Sequence, residues 1–160
     1  MGTVKRILAR KAQRAVLTTT PHTLVYDAIA VIAEHGVGAL VVTEEDEVVG
    51  IVTERDYLRE VVLKDRSSRA TPVETIMSRP VVTVDPNETI DRCMELMTSH
   101  RFRHLPVLED GELVGVISIG DCVKQQVREH TAEIHFLHDY INGGPTVVRE
   151  RAAERASQRG

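Results

Sequence analysis

Gly50-Ile51-Val52-Thr53-Glu54-Arg55-Asp56 returns further along the chain as Gly115-Val116-Ile117-Ser118-Ile119-Gly120-Asp121. In both stretches an apolar, β-branched run reaches a hydroxyl residue, and an acid follows three positions later. The run reads as a strand. The hydroxyl and acid read as a helix start, in which the hydroxyl accepts a backbone N–H and the carboxylate sits at the positive helix end. The same groups suit a second use, since a carboxylate at such a junction can accept both hydroxyls of a ribose. The glycine three residues before the hydroxyl would let a ligand approach the backbone closely.

Working outward, a shift of 65 positions aligns residues 16–59 with 81–124 without a gap, so that Pro21 meets Pro86, His35 meets His100, Leu40 meets Leu105 and Asp56 meets Asp121. Two copies are too few for a solenoid, and a pseudo-symmetric pair is expected. Each copy opens on a short β-branched run, at 16–18 or 81–83, with a proline three residues later. A helix follows, because Val25, Ala28, Ile29 and Ile32 fall on one face, as do Ile90, Cys93, Met94 and Met97. Gly36 is a natural stop for the first of these. Apolar runs at 39–42 and 48–52, and at 105–108 and 113–117, flank polar turns and read as two hairpins. A last helix begins near Glu54 or Ile119 and is expected to bury Leu58, Val61 and Val62, or Val123 and Val127. Each unit is therefore β-α-β-β-α, and the fold class is α+β.

The remaining segments are assigned around this repeat. Residues 1–15 form a lead-in helix with Val4, Ile7 and Leu8 on one face and a solvated basic face of Lys5, Arg6, Arg10, Lys11 and Arg14. The first motif spans 16–63 and a polar linker 64–80, with a short helical turn at 73–77. The second motif spans 81–141, its final helix extended through Ile134, Leu137 and Ile141, and 142–160 is a flexible tail. One motif alone buries too little apolar surface, so the pair is expected to share a single core.

The composition excludes several classes. With 20 Lys+Arg against 24 Asp+Glu, the chain lacks the excess of cations that nucleic-acid affinity requires. No apolar run approaches the roughly 18 residues of a membrane span, and the first residues hold no signal-peptide core, so a cytoplasmic protein is expected. Cys93 and Cys122 then read as buried, reduced thiols. The histidines make no ligand set: His100 and His104 straddle the end of a helix, and His135 and His138 read as interfacial or solvated. No nucleophile elbow or phosphate-cradling glycine loop is present, so neither an enzyme nor a metal site is expected.

Both junctions follow a β-α-β start and the stretches His35-Gly-Val-Gly-Ala-Leu-Val-Val42 and His100-Arg-Phe-Arg-His-Leu-Pro-Val107. In this the chain resembles a tandem pair of cystathionine-β-synthase (CBS) domains, a Bateman module, over residues 4–141, and is similar to small stand-alone bacterial CBS-pair proteins. The resemblance implies two CBS motifs packed as one pair, adenosyl compounds bound in two clefts between them, and a homodimer. Carried onto this chain, it makes Asp56 and Asp121 the ribose acceptors and Thr53 and Ser118 their hydroxyl partners. It pairs Asp56 with Val81 and Val82 in one cleft, and Asp121 with Val16 and Leu17 in the other. Arg55, Arg103 and His104 then place positive charge beside Asp56, so that cleft is expected to favour a phosphorylated nucleotide through charge-assisted hydrogen bonds. The Asp121 cleft is expected to take a less charged adenosyl group or none. AMP is the favoured ligand, NAD(H) a close alternative, and ADP, ATP and S-adenosylmethionine share the adenosyl part. The implied function is a regulatory nucleotide sensor acting on an unidentified protein partner, with no catalytic cofactor, nucleic acid or membrane. The alternative is a ligand-free dimerisation scaffold.

Overall fold

Both expected hairpins form in the computed structural model, which describes residues 2–11 and 15–142. Strand β2 (Ala39–Glu44) pairs antiparallel with β3 (Glu47–Thr53), and β4 (His104–Glu109) with β5 (Glu112–Ser118). The registers repeat: Val42 faces Gly50 as Val107 faces Gly115, and each ladder shifts at the next residue. The turn residues Glu45 and Asp46, and Asp110 and Gly111, all have positive φ, the backbone that lets a two-residue turn follow the strand twist.

The helices α2 (Val25–His35) and α4 (Ile90–His100) cover the hairpins with the stripes read from their spacing, burying Val25, Ala28 and Ile32, or Ile90, Cys93 and Met97. Each ends on a left-handed residue, Gly36 at φ 63° and Arg101 at φ 59°, whose N–H returns to the last turn. The opening strands are shorter and later than expected. In the first copy β1 (Thr18–Thr19) lies parallel to β2, and in the second the pairing shrinks to one bridge between Val84 and Val107. Residues 16–17 and 81–83 stay outside the ladder.

The closing helices also differ from expectation. After β3, α3 (Glu54–Tyr57) passes into a wider turn of π-helix at Leu58–Val62, which buries Val61 but leaves Leu58 55% and Val62 51% exposed. After β5, α5 (Ile119–Asn142) buries Cys122 and Gln125, while Val123 and Val127 are exposed. The helix start sets this phase: Asp121 folds back onto Ser118, which turns the next residue and the one a turn later inward.

The single shared core is corrected to two, and each is closed by the segment that precedes the other repeat. Helix α1 (Val4–Lys11) buries the apolar face read from its spacing, and does so against the other repeat. Its Val4 and Ile7 sit in the core of the second repeat with Ile90, Leu105, Val107 and Ile117. The supposed linker holds a 3₁₀ turn (Val73–Thr75), and Val73 and Ile76 enter the core of the first repeat with Ile32, Leu40, Val42 and Val52. The described residues up to Gln126 make one compact unit, and those from Val127 a second. In the second unit the helix continues to Asn142 and exposes Ile134, Phe136, Leu137, Tyr140 and Ile141. The rest of the expected tail, residues 143–160, lies outside the described residues, as does Arg14.

Candidate functional site

Both strand-to-helix junctions are capping boxes. Asp56 N–H donates to Thr53 Oγ1 at 3.1 Å and Thr53 N–H donates to Asp56 Oδ2 at 3.0 Å. Asp121 N–H donates to Ser118 Oγ at 3.1 Å, and Ser118 N–H to Asp121 Oδ2 at 2.9 Å. Beyond the box the two acids part company. Asp56 receives two hydroxyls and no cation among the described residues, Thr53 Oγ1 at 3.0 Å to Oδ2 and Ser78 at 3.4 Å to Oδ1. Burial therefore prevails and raises its pKa, against the hydrogen bonds from Thr53 and Ser78. Asp121 receives the Lys11 ammonium at 2.7 Å, which also donates to the Val116 carbonyl at 3.0 Å. Burial pulls this carboxyl upward too, but Lys11 and the Ser118 N–H hold it below the ordinary value.

Asp121 and Ser118 lie on the wall of a cavity of about 720 Å³. Leu8 and Lys11 from α1, Val16 and Leu17 before β1, Gly38 and Ala39 after α2, and His104 of β4 line the rest. The structure thus brings Val16, Leu17, Ser118 and Asp121 together around one space. Two glycines shape it. A Cβ on Gly115 would stand 2.4 Å from Leu8 Cδ2, and one on Gly38 would stand 3.0 Å from the His104 ring.

The placement of His104 corrects the sequence reading. It was expected beside Asp56 together with Arg103, yet it faces the Asp121 cavity. The two neighbours divide here, since Arg103 lines a different hollow. Burial lowers the pKa of this imidazole, against the nearby Asp121 charge. Lys124 lines the same cavity, so cations gather around Asp121, where few were expected. Arg103 and Arg55 line a smaller hollow of about 230 Å³ with Arg101, Met97, Thr98, Phe102 and Ile119. There Arg55 Nη1 donates to the Arg101 carbonyl at 3.1 Å. Asp56, Val81 and Val82 are not among the residues of that hollow, and Val82 packs against the second core instead.

Sequence reasoning missed Lys11, Leu8, Lys124 and Ser78. A signal for Leu8 exists: Val4-x-x-Ile7-Leu8 matches Val73-x-x-Ile76-Met77 at an offset of 69, four more than the offset of the main repeat. Met77 covers Gly50 as Leu8 covers Gly115. Cys93 and Cys122 are fully buried, and burial pushes their thiols up to about 11 and about 12, so neither is a nucleophile at neutral pH. Among the described residues no group of three His, Cys, Asp or Glu is placed to hold a metal ion, and no helix is long and apolar enough to cross a membrane.

The duplicated junction, with each lead-in closing the opposite core, is matched by the CBS domain family model at residues 4–63 and 73–128. The chain belongs to the CBS-domain family. Both matched spans open on the lead-in valines, Val4 and Val73. Similar to it is the mitochondrial CBS domain-containing protein CBSX3 of Arabidopsis thaliana, 42% identical over 146 residues, covering 88% of this chain and 71% of that protein. Among solved structures, a CBS-domain protein from Burkholderia ambifaria MC40-6 superposes with a TM-score of 0.77 at 53% identity, over 79% of this chain and 95% of that one. The CBS domain pair of MJ0100, solved with 5′-methylthioadenosine and S-adenosyl-L-methionine, superposes at 0.70 with 22% identity, over 81% of this chain and 98% of that one, a likeness of fold.

Proposed function

We propose that this CBS pair is a cytoplasmic, homodimeric sensor that binds an adenine nucleotide in the Asp121 cavity, AMP by preference. NAD(H), ADP, ATP and S-adenosylmethionine are the related candidates. The observation that carries the reading is a half-buried carboxylate at a helix start, on the wall of a cavity of about 720 Å³ that also holds the aliphatic Val16 and Leu17. Such a volume is ordinary for a small-molecule site. In this reading Asp121 accepts the ribose hydroxyls, Ser118 positions it, and Val16 and Leu17 flank the purine. The residues expected of a second site divide, Arg55 and Arg103 lining the smaller hollow and Thr53, Asp56, Val81 and Val82 lying outside its lining, so the Asp121 cavity carries the proposal. The MJ0100 pair, which shares the fold, was solved with adenosyl compounds. The role is regulatory and non-catalytic: a ligand that prefers one arrangement of the repeats shifts the population, and with it the affinity for a protein partner.

A specific observation favours the rival scaffold reading, since both acids are already engaged by their own helix starts. Thermal melts separate the two. A true ligand at about 100 times its Kd stabilises by about 2.7 kcal/mol, and Asp121→Ala removes that shift. Melts unmoved by AMP, ADP, ATP, NAD(H) and S-adenosylmethionine leave only the scaffold.

A further inference from the structure

We infer that Lys11 is the specificity residue of the Asp121 cavity, selecting nucleotides that carry a phosphate over neutral or cationic adenosyl compounds by exchanging Asp121 for that phosphate. The inference rests on the reading of this cavity as an adenosyl site and deepens it. The carboxylate that would receive the ribose is held by Lys11 Nζ at 2.7 Å, in a pair whose side chains are only 32% and 20% exposed. Lys11 and the Ser118 N–H both take Oδ2, so a ribose that spans the two carboxylate oxygens competes with that ammonium. Ribose hydroxyls satisfy the carboxylate but offer the lysine only neutral acceptors, and a charge left without a counter-charge in a partly buried site is costly. An anionic ligand supplies the missing partner.

The surroundings favour that exchange. Lys11 is the last residue of α1, and one turn back Leu8 is seated on Gly115, so the ammonium is tethered at the cavity wall. Lys124 lines the same space, and so does the ring of His104. Among the described residues lining the cavity the only carboxylate is Asp121, which the ribose would engage. A phosphate in this space therefore has two lysines within the lining to pair with, whereas adenosine brings them no counter-charge. Charged hydrogen bonds of this kind correspond to about tenfold or more in affinity.

Calorimetric titration of the full chain with AMP and adenosine tests this, using wild type, Lys11→Met, Lys11→Arg and Asp121→Ala. Wild type should prefer AMP by about tenfold or more. Lys11→Met should lose most of that preference, weakening AMP while strengthening adenosine, and Lys11→Arg should restore it. An unchanged preference in Lys11→Met overturns the inference, because the phosphate is then read elsewhere. So does an equal gain for both ligands, which makes Lys11 a simple plug. If both ligands bind, depend on Asp121 and ignore Lys11, the adenosyl reading stands and only this inference falls. If neither binds wild type or Lys11→Met, the adenosyl reading itself fails.

Discussion

Met77 lies across Gly50 so closely that a Cβ at that glycine would stand 2.5 Å from its sulfur, 3.0 Å from its Cγ and 3.3 Å from its own Cβ. At Gly115 the equivalent obstacle is only the tip of Leu8, with Cδ2 at 2.4 Å and the next atoms beyond 3.5 Å. A leucine tip rotates away; the stem of Met77 cannot, since Val73 and Ile76 anchor it in the first core. Gly50→Ala should therefore destabilise by about 1–3 kcal/mol, the range for overpacking. Gly115→Ala should be close to neutral, because the relief of glycine's backbone entropy, about 0.5–1 kcal/mol, offsets the smaller clash. Urea melts of the two variants check this, and equal losses would show that the two lead-ins are held with equal rigidity.

The twin acids predict opposite pH responses. Asp121 has a lowered folded pKa, so it contributes stability that is present above the unfolded aspartate value of about 3.9 and disappears as pH falls through the folded value. Asp56 has a raised pKa, so its ionisation costs stability above the folded value, and the cost vanishes as pH falls toward about 3.9. The stability difference between wild type and Asp121→Asn should thus shrink on acidification from about pH 7 to about pH 3, whereas the difference between wild type and Asp56→Asn should move in favour of wild type. Two differences of the same sign would mean that the Lys11 pair does not persist in solution.

The hairpins, the stripes of α2 and α4 and both capping boxes were legible because each is a local pattern: turn residues, a helical period, a hydroxyl and acid three apart. The pairing of Asp121 with Val16 and Leu17 came from the family resemblance. The exchange of lead-ins was hidden. Val4 and Ile7 show an apolar face but nothing about which repeat it covers, and the offset of 69 falls outside the alignment that reveals the main repeat. That miss carried others with it. Once the basic face of α1 is taken as solvated, Lys11 becomes one more surface cation, and positive charge is counted only where Arg55, Arg103 and His104 stand in the alignment. His104 is then grouped with Arg103, because an alignment pairs positions without saying which hollow each side chain lines.

Thr53 has two bonds to lose. Its hydroxyl accepts the Asp56 N–H and lies 3.0 Å from Asp56 Oδ2, so Thr53→Ala leaves a helix N–H without its cap and a half-buried carboxylate with fewer partners. The expected cost is about 1 kcal/mol, within the usual range for loss of a cap. Thr53→Ser keeps the hydroxyl and should recover most of it. Denaturation of both variants decides the point: a loss shared equally by the serine variant would assign the effect to the missing methyl group, not the cap.

From Val127 onward α5 presents Ile134, Leu137 and Ile141 three and four residues apart, with Phe136 and Tyr140 beside them. All five are exposed, Tyr140 at 81%. Such spacing makes a continuous apolar stripe on a helix, the kind of face that two copies of one chain can bury against each other. In the homodimer proposed above, a charge in the middle of that stripe opposes itself across the two-fold axis. Leu137→Glu should therefore shift sedimentation from dimer toward monomer, while the melting temperature of the first unit's cores changes little, since Leu137 belongs to neither. A dimer that survives Leu137→Glu would place the subunit contact on another face, and a wild-type monomer would remove the homodimer from the proposal.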